Sequence, residues 1–375
     1  MSAPRITIKE VATALEAIAP LSLAQDWDNV GLLVGDPDAH VKRVLMTIDT
    51  TAAVVEEAIR LKMDLILSYH PVLFKGTQRV TANGPSALIY KLIRHGIGLY
   101  SFHTAMDVAA GGVNDALAAA VGIANPLPIG DFVEDPQGPS YKMITFVPKD
   151  DVNRVADALY ANGAGAIGNY SHCGFQTHGT GTFLPLPGAT PTIGKQGQRE
   201  TVPEIRLETV VKADKVSAVI DALRQAHPYE TPAFDVFRHY NVENHLGLGR
   251  IGQLAQPAKL DALLTRLKRT TGADVVGIVG THKRVLKKAA VCAGSCGDII
   301  QQVIAQQAQV YITGELKHHL ALHAQAAGLT CVCLSHSVSE RFALKSIRTE
   351  LKKQIRGIAI RLSAKDVDPF EWKTI

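Results

Sequence analysis

Three histidines and two carboxylates stand where apolar runs of the chain end. In "DLILSYHPVLFKG" a run suited to a buried strand stops abruptly at Tyr69-His70-Pro71. "IGLYSF" leads into "HTAMD", which places His103 and Asp107 together, and "LTCVCLS" leads into "HSVSE", which places His336 and Glu340 at an i, i+4 spacing. A helix beginning near His336 puts both of its side chains on one face. Neutral imidazole nitrogen and carboxylate oxygen suit Zn, Mn, Fe or Ni, and a carboxylate can bridge two ions. One histidine at a strand end is more simply a cap or a satisfied polar residue. Three such ends, two of them with a carboxylate four residues on, point to a metal site.

Open α/β sheets gather ligands outside the carboxyl ends of their strands, so the chain has to supply parallel strands with these residues at their tips. The first third alternates accordingly. "TIKEVATALEAIAP" has helical spacing, "VKRVLMTIDT" reads as a strand, and a helix follows Thr50 in "TAAVVEEAIRLK". Then come the strand "DLILS", a helix near "PSALIYKLIRHG" and the strand "IGLYSF". The last third repeats the style, with strands at "ADVVGIVG", "KKAAVCAG", "AQVYITG" and "LTCVCLS" and helices between and after them. Short, nearly all-apolar strands of this kind imply a mainly parallel sheet covered on both faces.

The middle differs. "NPLPIGDFVEDPQGPS" reads as a Pro/Gly-rich connector and "PLPGATPTIGKQGQRE" as a long polar loop. Around them stand two similar half-units. "YKMITFV", "KDDVNRVADALYANG" and "FQTHGTGTF" form one, and "EIRLETVV", "ADKVSAVIDALRQAH" and "AFDVFRHY" form the other. Two β-α-β units in tandem make a small ferredoxin-like domain. The expected architecture is an α/β core of mixed, mainly parallel sheet, residues 1–127 plus 246–375, interrupted by an α+β insertion at 128–245.

Other polar stretches say less. Asp28-Asn29 and the glycines of "DVAAGGVNDAL" read equally as turn and cap residues or as the shape of a pocket. "CAGSCGD" offers backbone N–H groups to an anion without completing a phosphate-loop pattern. His318, His319 and His323 read as an exposed helical face, and Glu315 as a carboxylate supporting a metal ligand. The net charge of +4, from 39 basic and 35 acidic residues, is too mild to imply nucleic acid, and the group from Lys283-Arg284 to Lys287-Lys288 reads as solvated surface. Five cysteines without a C-x-x-C pair suit reduced thiols. With no signal core in "MSAPRITIKE" and no long apolar run, the expected location is the cytoplasm.

Taken in order, "DWDNVGLLVGDP", "SYHPVLFKG", "HTAMDVAAGGVNDAL", "CAGSCGD", "TGELKHH" and "SHSVSERFALKSI" resemble the motifs of the Nif-three-like family, also called the GTP cyclohydrolase I type 2 family. "GNYSHCGFQTHGTGTFLP" and "HPYETPAFDV" are similar to the insertion of its longer members. The resemblance spans nearly the whole chain. It implies a dinuclear metal centre at His70, His103, Asp107, His336 and Glu340, an insertion of the PII/CutA-like kind, and assembly into a hexameric ring. Many bacterial members carry two consecutive histidines where this chain has Tyr69-His70. A phenol is a poorer ligand than an imidazole at neutral pH, so Tyr69 is expected to leave one of the two metal positions weaker or to reserve an open coordination site.

The function expected on this ground is metal-dependent hydrolysis of a nucleotide-like small molecule. The ions would lower the pKa of a bound water toward neutrality and polarise the bond attacked. Attack would open the imidazole ring of guanine in a cyclohydrolase, or fall on phosphorus in a phosphoesterase. Glu340 is the first choice for the bridging or proton-handling carboxylate and Asp107 the second. The alternative is a non-catalytic, metal-stabilised ring that binds a regulator, with the insertion as its sensor.

Overall fold

A computed structural model of the protein describes residues 6–129, 140–238, 246–280 and 284–373. The chain forms two compact units, Met1–Val133 with Asn244–Ile375, and Glu134–Glu243. The connector expected between them lies outside the described residues from 130 to 139, as do Lys283 and the last two residues of "AFDVFRHY".

The first unit holds two sheets. One runs Gly31–Val34, Gly98–Ser101, Leu65–Ser68, Arg43–Thr47, Ala359–Leu362 in spatial order, and only Gly31–Val34 is antiparallel to its neighbour. All four residues of Leu65–Ser68 are buried, as expected of a strand covered on both faces. The helix anticipated after Thr50 is Ala52–Arg60, whose N-cap Thr51 accepts a hydrogen bond from the Val54 amide. The second sheet runs Gly277–Val279, Thr330–Cys333, Val310–Thr313, Leu286–Cys292, Arg250–Ala258, Ile123–Leu127. Its three central members, Thr330–Cys333, Val310–Thr313 and Leu286–Cys292, are parallel, and the flanking ones are antiparallel. Ile123–Leu127 falls partly in the stretch read as connector. It is an edge strand, where Pro126 costs no ladder hydrogen bond on the open side.

Register does the positioning. Thr47, Ser68 and Ser101 are level across three neighbouring parallel strands, so the residues two places further on, Asp49, His70 and His103, emerge side by side. The ladder continues past the strand ends, with Tyr69 N–H donating to the Thr47 carbonyl and His103 N–H to that of Tyr69. In the second sheet Cys292, Thr313 and Cys333 are level, which brings out Gly294, Glu315 and Ser335 together, with His336 one residue later. One apolar cluster draws on both sheets and on the helices Val113–Val121, Leu260–Thr271 and Leu344–Gln354, while separate clusters cover the remaining face of each sheet.

The second unit has a single four-stranded antiparallel sheet, in the order Gly174–Phe183, Glu200–Lys212, Ser140–Pro148, Phe234–Arg238. The helices Val152–Ala161 and Val216–Ala226 pack on it over a core of their own. The chain order is β-α-β-β-α-β.

Candidate metal centre

His70, His103, Asp107, His336 and Glu340 line one cavity of about 960 Å³ within the first unit. Ligand atoms of His70, His336 and Glu340 lie within 4.8 Å of one another, so these three residues could hold a metal ion. Glu340 is the hinge of the group, with Oε2 3.5 Å from His70 Nε2 and Oε1 3.5 Å from His336 Nε2. His336 lies ahead of the short helix Val338–Arg341, which carries Glu340, and the two side chains meet at the cavity. The His103 ring stands 5.0 Å from that of His70, centre to centre. His103 and Asp107 both belong to the helix His103–Val108, and neither is a member of the tight triad.

Each imidazole has a carboxylate behind it, hydrogen-bonded at His70 and His103 and at ion-pair distance at His336. His70 Nδ1 lies 2.9 Å from Asp49 Oδ1, His103 Nδ1 3.0 Å from Asp28 Oδ1, and His336 Nδ1 3.3 Å from Glu315 Oε1. A carboxylate on Nδ1 favours, once the ring is neutral, the tautomer whose Nε2 carries the lone pair, the arrangement that metal-binding histidines favour. Glu340 is 3% exposed, and its Oε2 has no hydrogen-bond partner among the described residues. A buried carboxylate oxygen without a hydrogen bond is costly unless something cationic meets it, a role open to a protonated His70 3.5 Å away or to a metal ion. Two imidazole nitrogens and a buried carboxylate within reach of one another fit a borderline-hard divalent ion.

Burial would lower the His70 imidazole, but Asp49 and Glu340 outweigh it and push its pKa up to about 10. Burial would raise Asp28, yet its bonds to His103 and Thr104 hold it down at about 2. Asp49 is likewise held below the usual carboxylate range, because His70 outweighs its burial. Asp107 goes the other way. Burial, reinforced by Glu340, pushes it up to about 7, against the pull of His103 and of the Tyr69 hydroxyl. Tyr69 is fully buried, and its hydroxyl donates to Asp107 Oδ1. Its ring packs edge-on against His70, His103 and Phe102.

Glu315 takes the supporting role the sequence suggested, and His318, His319 and His323 are exposed on their helix. Asp28 proves to be the support of His103 rather than only a turn residue. Asp49 escaped the sequence reading. Its signal was present, since "VKRVLMTIDT" also ends in a carboxylate just past a buried strand. The segment "DVAAGGVNDAL" acts through Asn114, which donates to the Asp107 carbonyl and accepts from the Ala293 amide, both at 2.9 Å, tying the two cavity-lining segments together.

The family model for Duf34/NIF3 (NGG1p interacting factor 3) matches residues 6–369. A Staphylococcus aureus protein named "GTP cyclohydrolase 1 type 2 homolog" is 36% identical over 369 residues, covering 97% of this chain and 99% of the relative. Crystal structures of a Bacillus cereus protein related to NIF3 and of a Staphylococcus aureus protein superpose with TM-scores of 0.74 and 0.81. They share 34% and 32% identity, and each covers 99% of this chain and 100% of the other.

Proposed function

The chain belongs to the Duf34/NIF3 family, and on that premise we propose that it is a metal-dependent hydrolase using two divalent transition-metal ions, Zn, Mn, Fe or Ni. His70, His103, Asp107, His336 and Glu340 would hold them. The observation that carries the reading is the convergence of His70 Nε2 and His336 Nε2 on the two oxygens of the buried Glu340 carboxylate, 3.5 Å each, with a further carboxylate behind the Nδ1 of every imidazole, His103 included. Bound there, such ions supply Lewis-acid polarisation and an acidified water. The chain's own part is to hold the His103 and His70 imidazoles in one tautomer through Asp28 and Asp49, with Glu315 placing its charge beside His336. Glu340 takes the bridging or proton-handling role, and Asp107, held by Tyr69, is the second carboxylate. A nucleotide-like substrate is supported by the name of the relatives, which speaks of GTP cyclohydrolase for those proteins. The hexameric ring and the PII/CutA-like character of the insertion rest on the family resemblance.

The second unit has its own core and a cavity of about 590 Å³, which favours a second reading, a metal-stabilised binding or regulatory protein. Metal analysis and turnover separate the two. The purified protein should hold between about one and two ions per chain, and His103→Ala with His336→Ala should abolish binding while far-UV circular dichroism is unchanged. Full occupancy in that double variant would sink the site. A nucleotide panel assayed with and without chelator should show turnover that chelator removes and metal restores. A fully loaded protein inert across the panel would favour the regulatory reading.

A further inference from the structure

Trp27 is 63% exposed and Phe74 53% exposed, although both line the cavity of the candidate metal centre. Large aromatic rings left bare at a cavity mouth mark a binding surface. Both rings meet the same imidazole edge-on, with the His103 centroid 5.9 Å from Trp27 and 6.3 Å from Phe74. Their loops are tied down on several sides. The Asn29 side-chain amide donates to the Leu73 carbonyl, joining the segment after Trp27 to the one before Phe74. Gln25 N–H donates to Thr104 Oγ1 at 2.9 Å, and Asp28 accepts from the Thr104 amide at 3.1 Å, fixing the Trp27 loop to the start of the His103 helix. Two bare aromatics on braced loops lose little freedom when a ligand arrives, which favours binding.

We propose that Trp27 and Phe74 form an aromatic seat that selects a planar ring and presents it beside His103, setting the specificity of the site. The inference rests on the hydrolase reading for its location and adds the chemistry of the ligand. A flat heteroaromatic ring gains stacking contact on these side chains that a sugar phosphate alone cannot make.

The test uses the full-length, metal-loaded chain. The sequence has two tryptophans, so Trp372→Phe leaves Trp27 as the only one and makes its emission a direct report. Guanosine should quench that emission saturably, and ribose phosphate should not. In the otherwise native chain, Trp27→Ala and Phe74→Ala should each weaken guanosine binding about tenfold or more by calorimetry. Trp27→Phe should keep most of the affinity. Metal affinity, measured by chelator competition, should be unchanged throughout, which shows that the variants are folded. Guanosine that binds wild type and both alanine variants equally, or does not bind wild type, overturns the seat. So does an affinity loss that only follows a changed oligomeric state by size exclusion. A chain that binds guanosine through Trp27 yet turns nothing over upholds the seat and counts against hydrolysis alone.

Discussion

Tyr69 gains a role at the residue scale that its poor ligand chemistry did not suggest. Fully buried, it donates its hydroxyl to Asp107 Oδ1. A hydrogen bond to a carboxylate stabilises the ionised form, so Tyr69 pulls the Asp107 pKa down while burial and Glu340 push it up. Tyr69→Phe keeps the ring and removes that pull. The Asp107 pKa should then rise above its present value of about 7, so that near neutrality a larger share of the carboxyl is protonated and unable to bind a cation. Metal affinity should fall about tenfold, since hydrogen bonds to charged groups contribute about 1.5–3 kcal/mol and 1.4 kcal/mol is tenfold. The deficit should shrink as pH rises, because the proton competing for Asp107 is lost in both proteins. Chelator competition across a pH series measures this. A deficit independent of pH would mean that Tyr69 acts by shape and not on ionisation.

At the scale of elements, the site is a product of register and of one glycine. Gly294 follows the strand Leu286–Cys292 at φ +70°, and a Cβ there would lie 2.7 Å from Glu340 Oε1. Its carbonyl also accepts the amides of Gly314 and Glu315, at 3.0 and 3.1 Å. Gly328 has the same φ with open space where a Cβ would go, so it isolates the backbone effect. Gly328→Ala and Gly294→Ala should each lose about 1–3 kcal/mol in urea unfolding, but only Gly294→Ala should weaken metal binding, by displacing Glu340. Equal metal affinity in the two variants would show that Glu340 has room to move. The ligands were legible because a strand buried on both faces is an apolar run, and a polar residue at its tip stands out. Asp49 shows what that rule lacks. Pairing of Thr47 with Ser68 brings Asp49 beside His70, and register between strands leaves no mark in either segment alone. The strands Gly31–Val34 and Ala359–Leu362 went unread for another reason. They are short edge strands, half-buried or exposed at several positions, without the apolar run of their central neighbours.

For the molecule as a whole, the site and the three clusters around it belong to one compact unit, while the second unit carries a separate core. The first unit closes on itself where the chain leaves and returns. Ile129 N–H donates to the Leu248 carbonyl at 3.1 Å, and Ile123–Leu127 pairs antiparallel with Arg250–Ala258. Arg250, 1% exposed, locks the returning strand in place, with Nε 2.7 Å and Nη2 2.9 Å from the Asp115 carboxylate and further bonds to the carbonyls of Gly247, Gly249 and Ala109. A buried arginine satisfied in this way is costly to disturb, so the junction should persist without the segment it brackets. We therefore propose that residues 134–243 can be replaced by a short Gly/Ser linker, because the chain already meets at Ile129 and Leu248 on either side of them and needs little loop closure. The shortened chain should unfold in one cooperative transition and bind metal with the affinity of the full chain. Calorimetry and chelator competition would show it. An insoluble product, or a folded one that takes up no metal, would mean that the first unit depends on the second for its core or for the geometry of its ligands.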